Sequence, residues 1–403
     1  MAQAEALAAA RARLKHSKIE NDSSSVKTQE TFETQESQRE FYQNRVLDAN
    51  LETYYEVLGP EITFPTIFVP LLKADAEFFI QHFESREKYR VHLVTQGITD
   101  ADLDRHAEKW LTPALSAHIR SLETRLQPAI SSLTSKERPG CFIKLSSRSP
   151  KDAVIQQREK ITAAFRTALS RQDQPETDNA RIIALLSAGA QLLCCETATD
   201  AVKLLTTSER VYQDCLLALD QPTRFVMNMC VRAWIPINPR DEFRCFCAPG
   251  SGRMTAISQY NYLAFWPELV AHAETNTKAL ISFYHETILP RLQAAGFGPA
   301  GYVCDLAFEQ DSGRVWCLEL NPFLATTDGA LFSWERERSI LEGSEPAPTA
   351  VAGETGATEA GPREGHRAGA GGAGPVLRVT TKPLAGAKAL IASSWRWLLE
   401  LPL

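Results

Sequence analysis

Glu319 and Asn321 stand two residues apart in the stretch GRVWCLELNPF, 313–323. In a pleated strand that spacing sends both side chains to one face. Val315 and Cys317 precede them on that face by the same count, while Trp316, Leu318 and Leu320 line the other. A strand this apolar that aims a carboxylate and an amide at one spot carries the donor types of a hard-cation site. Its partner lies upstream in YVCDLAFEQ, which holds Asp305. Asp311-Ser312-Gly313 suits a three-residue hairpin loop, a type I turn closed by a left-handed glycine. Residue 310 then faces 314, and Asp305 faces Glu319. Directly opposed side chains are about 5 Å apart, where like charges destabilise the pair. A divalent cation with oxygen ligands removes that penalty, so Asp305, Glu319 and Asn321 are predicted to hold Mg2+. Magnesium favours a few protein oxygens plus substrate phosphates, which points to a nucleotide. The competing reading is a solvated hairpin face, but the flanking residues read as buried, where unpaired carboxylates are costly.

A nucleotide also needs cations and donors for its phosphates. CFIKLSS places Lys144 in a strand, followed by SSRSPKD, a loop rich in hydroxyls and bases. Glu242 and Arg244 share one strand face by the two-residue spacing. In VRAWIPI, Trp234 is placed to pack beside a base while neighbouring backbone groups read its edge. Each has a structural alternative: a solvated lysine at a strand end, cross-strand ion pairs for Glu242 and Arg244, a core tryptophan. A Walker loop and a GxGxxG turn are both absent from the sequence, which disfavours those two nucleotide folds.

The elements that must position these residues follow from the pattern. ITFPTIFVPLL reads as a strand that Pro65 and Pro70 keep near a sheet edge. RFVMNMCVRAWIPI, a nearly continuous apolar run, reads as a central strand. EFRCFCAPGSGRMTAISQY is a hairpin turning at Pro249, Gly250 and Gly252. Thr112-Pro113 opens a helix carrying Leu115, Ile119, Leu122 and Leu126, and LISFYHETILPRLQAAG is a helix closing at Gly296. Strands alternating with helices, plus hairpins, give an α+β or mixed α/β class. Residues 1–50 are polar and read as a mobile or partly helical leader, and 51–343 as the folding region. Residues 344–375, built from Ala, Gly, Glu, Pro and Thr, read as a disordered linker. Residues 376–403 are expected to return as a strand and a short amphipathic helix docked on the domain.

Composition bounds the rest. The chain has 403 residues, 44% hydrophobic and 23% charged, with a formal net charge of −6. That balance gives no support for a general nucleic-acid or membrane surface. The nine cysteines are odd in number and form no CxxC, so they read as buried thiols of a reducing compartment, with the cytoplasm as the default location. No apolar run approaches the roughly 20 residues of a membrane span.

Taken together, these pieces resemble the cell division cycle protein 123 family. The matching stretches are TFPTIFVPL, FIKLSSRSPKDA, TDAVKLLTTSER, VRAWIPI, DEFRCF, AISQY, VCDLAF, VWCLELNPF and TTDGALFSW, in the family's order over most of residues 54 to 335. The resemblance implies an ATP-grasp-like fold of two subdomains with the nucleotide cleft between them, binding ATP and Mg2+. It implies that Lys144 and the loop holding Ser147, Ser149 and Lys151 cover the phosphates. Ala233, Trp234 and Ile235 would form the adenine hinge. Glu242 and Arg244 would reach the ribose and phosphates, while Asp305, Glu319 and Asn321 hold the metal. It further implies an assembly factor acting as a monomer on a protein client, the γ subunit of eukaryotic translation initiation factor 2. Three positions depart from the family pattern: Ser147 replaces a tryptophan, Tyr260 an arginine, and Glu319 an aspartate.

Two other functions are compatible with the same residues. One is an ATP-grasp ligase that activates a carboxylate as an acyl phosphate, for which Thr326, Thr327 and Asp328 are the candidate second polar set. The other is a nucleotide-free scaffold, which Tyr260 makes conceivable.

Overall fold

Proline placement and apolar runs decide how the first of two sheets is ordered. The computed structural model describes residues 35–95, 104–136, 138–172, 176–220, 225–310, 312–344, 365–367 and 374–402. One unit takes in the described residues of Pro65–Ala164 and Ala188–Trp234. It is built on β1 (Thr66–Pro70), β2 (Cys141–Leu145), β3 (Cys194–Cys195) and β4 (Asn228–Ala233). Their order is β1-β4-β2-β3, antiparallel throughout. β1 lies at an edge, where its prolines leave no ladder bond unmade. The apolar β4 runs between β1 and β2, with Met229, Val231 and Ala233 fully buried.

Helix caps in this unit follow the sequence signals. The Pro113–Leu133 helix starts on Thr112, whose hydroxyl accepts from the Leu115 amide at 3.3 Å. It buries Leu115, Leu122 and Leu126, whereas Ile119, predicted on the same stripe, is half-buried. The Ala198–Thr207 helix opens on a capping box: Thr197 accepts from the Asp200 amide at 3.1 Å, and Asp200 accepts from the Thr197 amide at 3.2 Å. Burial works to raise the Asp200 pKa, but the Thr197 hydroxyl and Lys160 outweigh it and hold the carboxyl below its ordinary value. A depressed carboxylate contributes stability above its unfolded pKa and loses it as pH falls through the folded value. Asp200→Asn is therefore expected to be less stable than wild type at pH 7 in urea titrations, by about 1 kcal/mol. The gap should close as pH drops below about 4.

The second unit takes in the described residues up to Phe64, those of Phe165–Ser187, and those from Ile235 onward. Its strands are β5 (Ile237–Cys247), β6 (Met254–Gln259), β7 (Tyr302–Glu309), β8 (Val315–Pro322), β9 (Gly365–Arg367) and β10 (Val376–Arg378). They run in the order β8-β7-β5-β6-β10-β9, antiparallel except for the β6–β10 pair. The β5–β6 hairpin turns through Gly250 at φ 73° and Gly252 at φ 63°, conformations that favour glycine. The helix read through Gly296 has a more complex form. It runs Ala273–Phe283, widens to a π turn over Tyr284–Ile288, and resumes over Leu289–Ala294. Pro290 explains the widening, since it has no amide to donate into a regular ladder.

The two faces of this sheet differ in chemistry. One carries Phe243, Cys245, Cys304, Leu306, Cys317 and Leu320, all buried. The other joins an apolar cluster of Phe246, Ala256, Val303, Phe323, Phe332, Ile340, Leu341 and Val376 to a charged strip described below.

At the ends of the chain, the leader contains a helix over Gln35–Asp48, and residues 1–34 lie outside the described residues. Within the stretch read as a disordered linker, Gly365–Arg367 forms β9, which corrects that reading at those residues. Ladder bonds need backbone groups alone, so a stretch poor in large side chains can still pair with β10. Residues 345–364 and 368–373 lie outside the described residues. After β10 a short helix runs Ser393–Leu399, and Arg181 donates to the Leu399 carbonyl at 2.9 Å and the Leu401 carbonyl at 3.0 Å.

Candidate functional site

Register across the six-stranded sheet draws one straight line of side chains. Arg378 of β10 lies opposite Ser258 of β6, and Ser258 opposite Arg244 of β5. Arg244 lies opposite Asp305 of β7, and Asp305 opposite Glu319 of β8. The row thus reads cation, hydroxyl, cation, carboxylate, carboxylate across five strands. Asp305 is 1% exposed and Arg244 6%, so their pairing decides the energetics. Arg244 Nε donates to Asp305 Oδ1 at 2.9 Å and Nη2 to Oδ2 at 2.7 Å, a bidentate fork. Asn321 Nδ2 donates to the same Oδ2 at 3.0 Å. The remaining Arg244 nitrogen, Nη1, donates to the Asp328 carbonyl at 2.8 Å, and the Tyr260 ring lies 4.7 Å from the guanidinium carbon. Burial works to lower the Arg244 pKa; Asp305 first, then Tyr260 and Glu319, reverse this and hold it above the ordinary arginine value.

Asp305 and Glu319 are paired as the residue count predicted, but by a different route. The turn is closed by the Glu309 amide donating to the Arg314 carbonyl at 2.8 Å, which encloses four residues rather than three. Gly313 takes the left-handed conformation at φ 67°. Phe308 then faces Val315 and Leu306 faces Cys317, one residue off the predicted register. A β-bulge at Leu318 restores it, so that Asp305 meets Glu319. The bulge also overturns the expected face of Cys317. That thiol lies on the apolar side, its Sγ 3.8 Å from Cys304 Sγ, and not beneath Glu319.

The residues expected to hold a metal offer two carboxylates and an amide, donor types that suit a hard cation, but the amide nitrogen is turned to Asp305 and both Asp305 oxygens accept from Arg244. Glu319 and Asn321 are half-buried. Among the described residues no group of three or more His, Cys, Asp or Glu is placed to hold a metal ion, so any cation here rests on two carboxylates. Glu242 shares the Arg244 face and lies opposite Ala307. Thr327 donates to the Pro322 carbonyl at 2.8 Å and Asp328 accepts from the Ala330 amide at 2.9 Å, so both are used in shaping the turn after Asn321.

In the first unit Lys144 is 1% exposed, not solvated, and lies opposite Cys230. On the same face of that sheet stands Arg232, opposite Phe142 and 2% exposed. The loop that follows is tied to the Glu209–Leu219 helix. Ser147 donates to Asp214 Oδ2, and Arg148 donates to Asp214 Oδ1 through Nε at 2.8 Å. Asp152 caps the start of that helix, accepting from Ser208 Oγ at 2.6 Å and the Glu209 amide at 2.7 Å. Ser149 is buried and Lys151 begins a 3-10 turn. Ala233 ends β4, its amide donating to the Pro65 carbonyl at 2.8 Å, and Trp234 and Ile235 follow half-buried. Asp214 and Asp152 were missed in the sequence. Asp152 stands 56 residues before the Ser208 it accepts from, and Asp214 66 residues after Arg148, so nothing local ties either to its contacts.

This geometry defines an α+β protein with a candidate two-carboxylate cation site on one face of a six-stranded sheet. The resemblance read from the motifs holds: residues 184–358 match the D123 family model, a stretch that includes Trp234 to Asn321 but begins after Lys144. The chain is similar to the translation initiation factor eIF2 assembly protein of Schizosaccharomyces pombe, 32% identical over 161 residues, covering 37% of this chain and 46% of that protein. It is 28% identical over 155 residues to the protein of the same name from Xenopus laevis, covering 37% and 44%. The cell division cycle protein 123 of Eremothecium gossypii is 26% identical over 205 residues, covering 51% and 48%. The chain thus matches about half the length of these curated relatives. The solved structure of Cdc123 from Schizosaccharomyces pombe aligns with 74% of this chain and 92% of its own at a TM-score of 0.46 and 20% identity. Among the described residues no helix is long and apolar enough to cross a membrane.

Proposed function

We propose that this chain is an assembly factor for translation initiation factor eIF2, acting on its γ subunit, and that ATP with Mg2+ binds at the Asp305 cluster. The assembly role is supported by the names of its relatives. The observation that supports the nucleotide part is the pairing of Asp305 with Glu319 beside Asn321, on a sheet face where an apolar cluster adjoins the charged row. Mg2+ held by these three residues would neutralise phosphate charge. Arg244 orients the Asp305 carboxylate through its two hydrogen bonds, and the Tyr260 ring lies over the Arg244 guanidinium. By the family resemblance, Lys144, Ser147, Ser149 and Lys151 are assigned to phosphate contacts, Ala233, Trp234 and Ile235 to the adenine, and Glu242 to the ribose.

A second reading is a nucleotide-free scaffold. It is favoured by the Arg244 fork, which already occupies both Asp305 oxygens and supplies the charge that a metal would bring. Calorimetric titration of ATP with and without Mg2+ separates the two. Heat that requires Mg2+ and is lost in Glu319→Gln supports the first, and no heat with no shift in Tm supports the second. For the client, tagged wild type and Asp305→Asn are used to capture purified eIF2 γ subunit. Capture by wild type in the presence of Mg·ATP, weakened at least tenfold in the variant, is the expected result.

A further inference from the structure

The segment Thr326–Glu337 crosses the charged side of the sheet and is gripped from below at three successive places in the row. Arg244 Nη1 donates to the Asp328 carbonyl at 2.8 Å. Ser258 Oγ accepts from the Leu331 amide at 3.1 Å. Arg378 Nη1 donates to the Leu331 carbonyl at 3.0 Å, and its two terminal nitrogens reach the Glu337 carboxylate at 2.9 and 2.6 Å. The Arg378 guanidinium also lies 4.2 Å from the centre of the Phe332 ring, and Val376 joins the cluster that buries Phe332. The held segment is strained. Ala330, at φ 50°, is the one non-glycine residue with a left-handed backbone among the described residues. A Cβ at Gly329 would clash with the Phe332 carbonyl. Such conformations persist only where their surroundings over-determine them.

From these contacts we infer that Arg378, on a strand that follows the Ala/Gly-rich stretch, is a positioning residue for Arg244 and Asp305. Arg378 neutralises Glu337 and fixes Leu331. That sets the strained turn at Gly329 and Ala330, which in turn presents the Asp328 carbonyl to Arg244. The C-terminal strand β10 is therefore part of the candidate site's construction. The positioning claim stands without a ligand, while its consequence for nucleotide affinity rests on the reading above.

The test uses the full chain with Arg378→Met, Glu337→Gln and the double variant, at a temperature where circular dichroism shows all four folded. The Arg244 Nε–H resonance, identified by its loss in Arg244→Lys, reports the bond to Asp305. In Arg378→Met its exchange with solvent is expected to rise at least tenfold, as for a charge-assisted hydrogen bond that has become intermittent. Glu337→Gln in that background should leave most of the protection lost, because the bond from Arg378 to the Leu331 carbonyl is still missing. The Arg181 signal is the control and should not move. An Arg244 signal unchanged in Arg378→Met, or a double variant as protected as wild type, overturns the inference. Mg·ATP affinity measured alongside should fall about tenfold in Arg378→Met. Should wild type bind no Mg·ATP while the Arg244 signal responds as expected, the nucleotide reading fails and the positioning role stands.

Discussion

Asp305→Ala is expected to lower unfolding free energy by about 3–5 kcal/mol, the range for breaking a buried ion pair from one side. The loss is large because Arg244 stays behind, 6% exposed and held charged by its surroundings. Its fork then has no acceptor for Nε and Nη2, and Asn321 Nδ2 loses its partner as well. Glu319 lies one strand further and offsets part of the charge, which places the value toward the lower end of the range. Removing both charges should cost less than removing either. Arg244→Met with Asp305→Leu is therefore expected to lie closer to wild type in guanidinium midpoint than either single variant. A double variant less stable than Asp305→Ala would show that the pair contributes more than mutual neutralisation.

The second large effect is expected at Asp214, on the Glu209–Leu219 helix of the first unit. Asp214→Ala should destabilise the chain by about 3 kcal/mol, since a 6% exposed carboxylate with charge-assisted bonds is removed. It accepts from Ser147 and from two nitrogens of Arg148, and so clamps the 146–151 loop to the Glu209–Leu219 helix. Arg148 retains bonds to the Arg210 carbonyl at 3.1 Å and to Gln213 at 3.3 Å, which limits the damage to the loop. Amide exchange over 146–151 should accelerate by more than the global loss of stability explains. Uniform acceleration across the unit would argue against a local clamp.

Much of the fold was legible because it rests on local chemistry. Pro65 and Pro70 mark an edge strand, the apolar 224–237 run marks a central one, and Thr112-Pro113 marks a helix start. Asp305 opposite Glu319 was legible by counting through the turn, although a longer loop and a bulge cancelled each other to give that answer. What the residues alone withheld were contacts that depend on distant strands. Arg244 was open to two readings, ligand contact or cross-strand ion pair, and only the β5–β7 register brings Asp305 opposite it, 61 residues away. Arg378 was less visible still. Its strand is three residues long and joins β6 in parallel, a pairing with no turn signal to announce it.

The extra residue at Leu318 has a consequence for how this hairpin tolerates change. It separates the tip, from Leu306 to Cys317, from the base, where Asp305 meets Glu319. Insertions or deletions of paired residues at the tip leave the inner pairing where it is. Were Leu318 taken into a regular ladder instead of being left out as a bulge, Glu319 would move one position and face the thiol-lined side. One unpaired backbone position thus fixes on which side of the sheet the charges emerge.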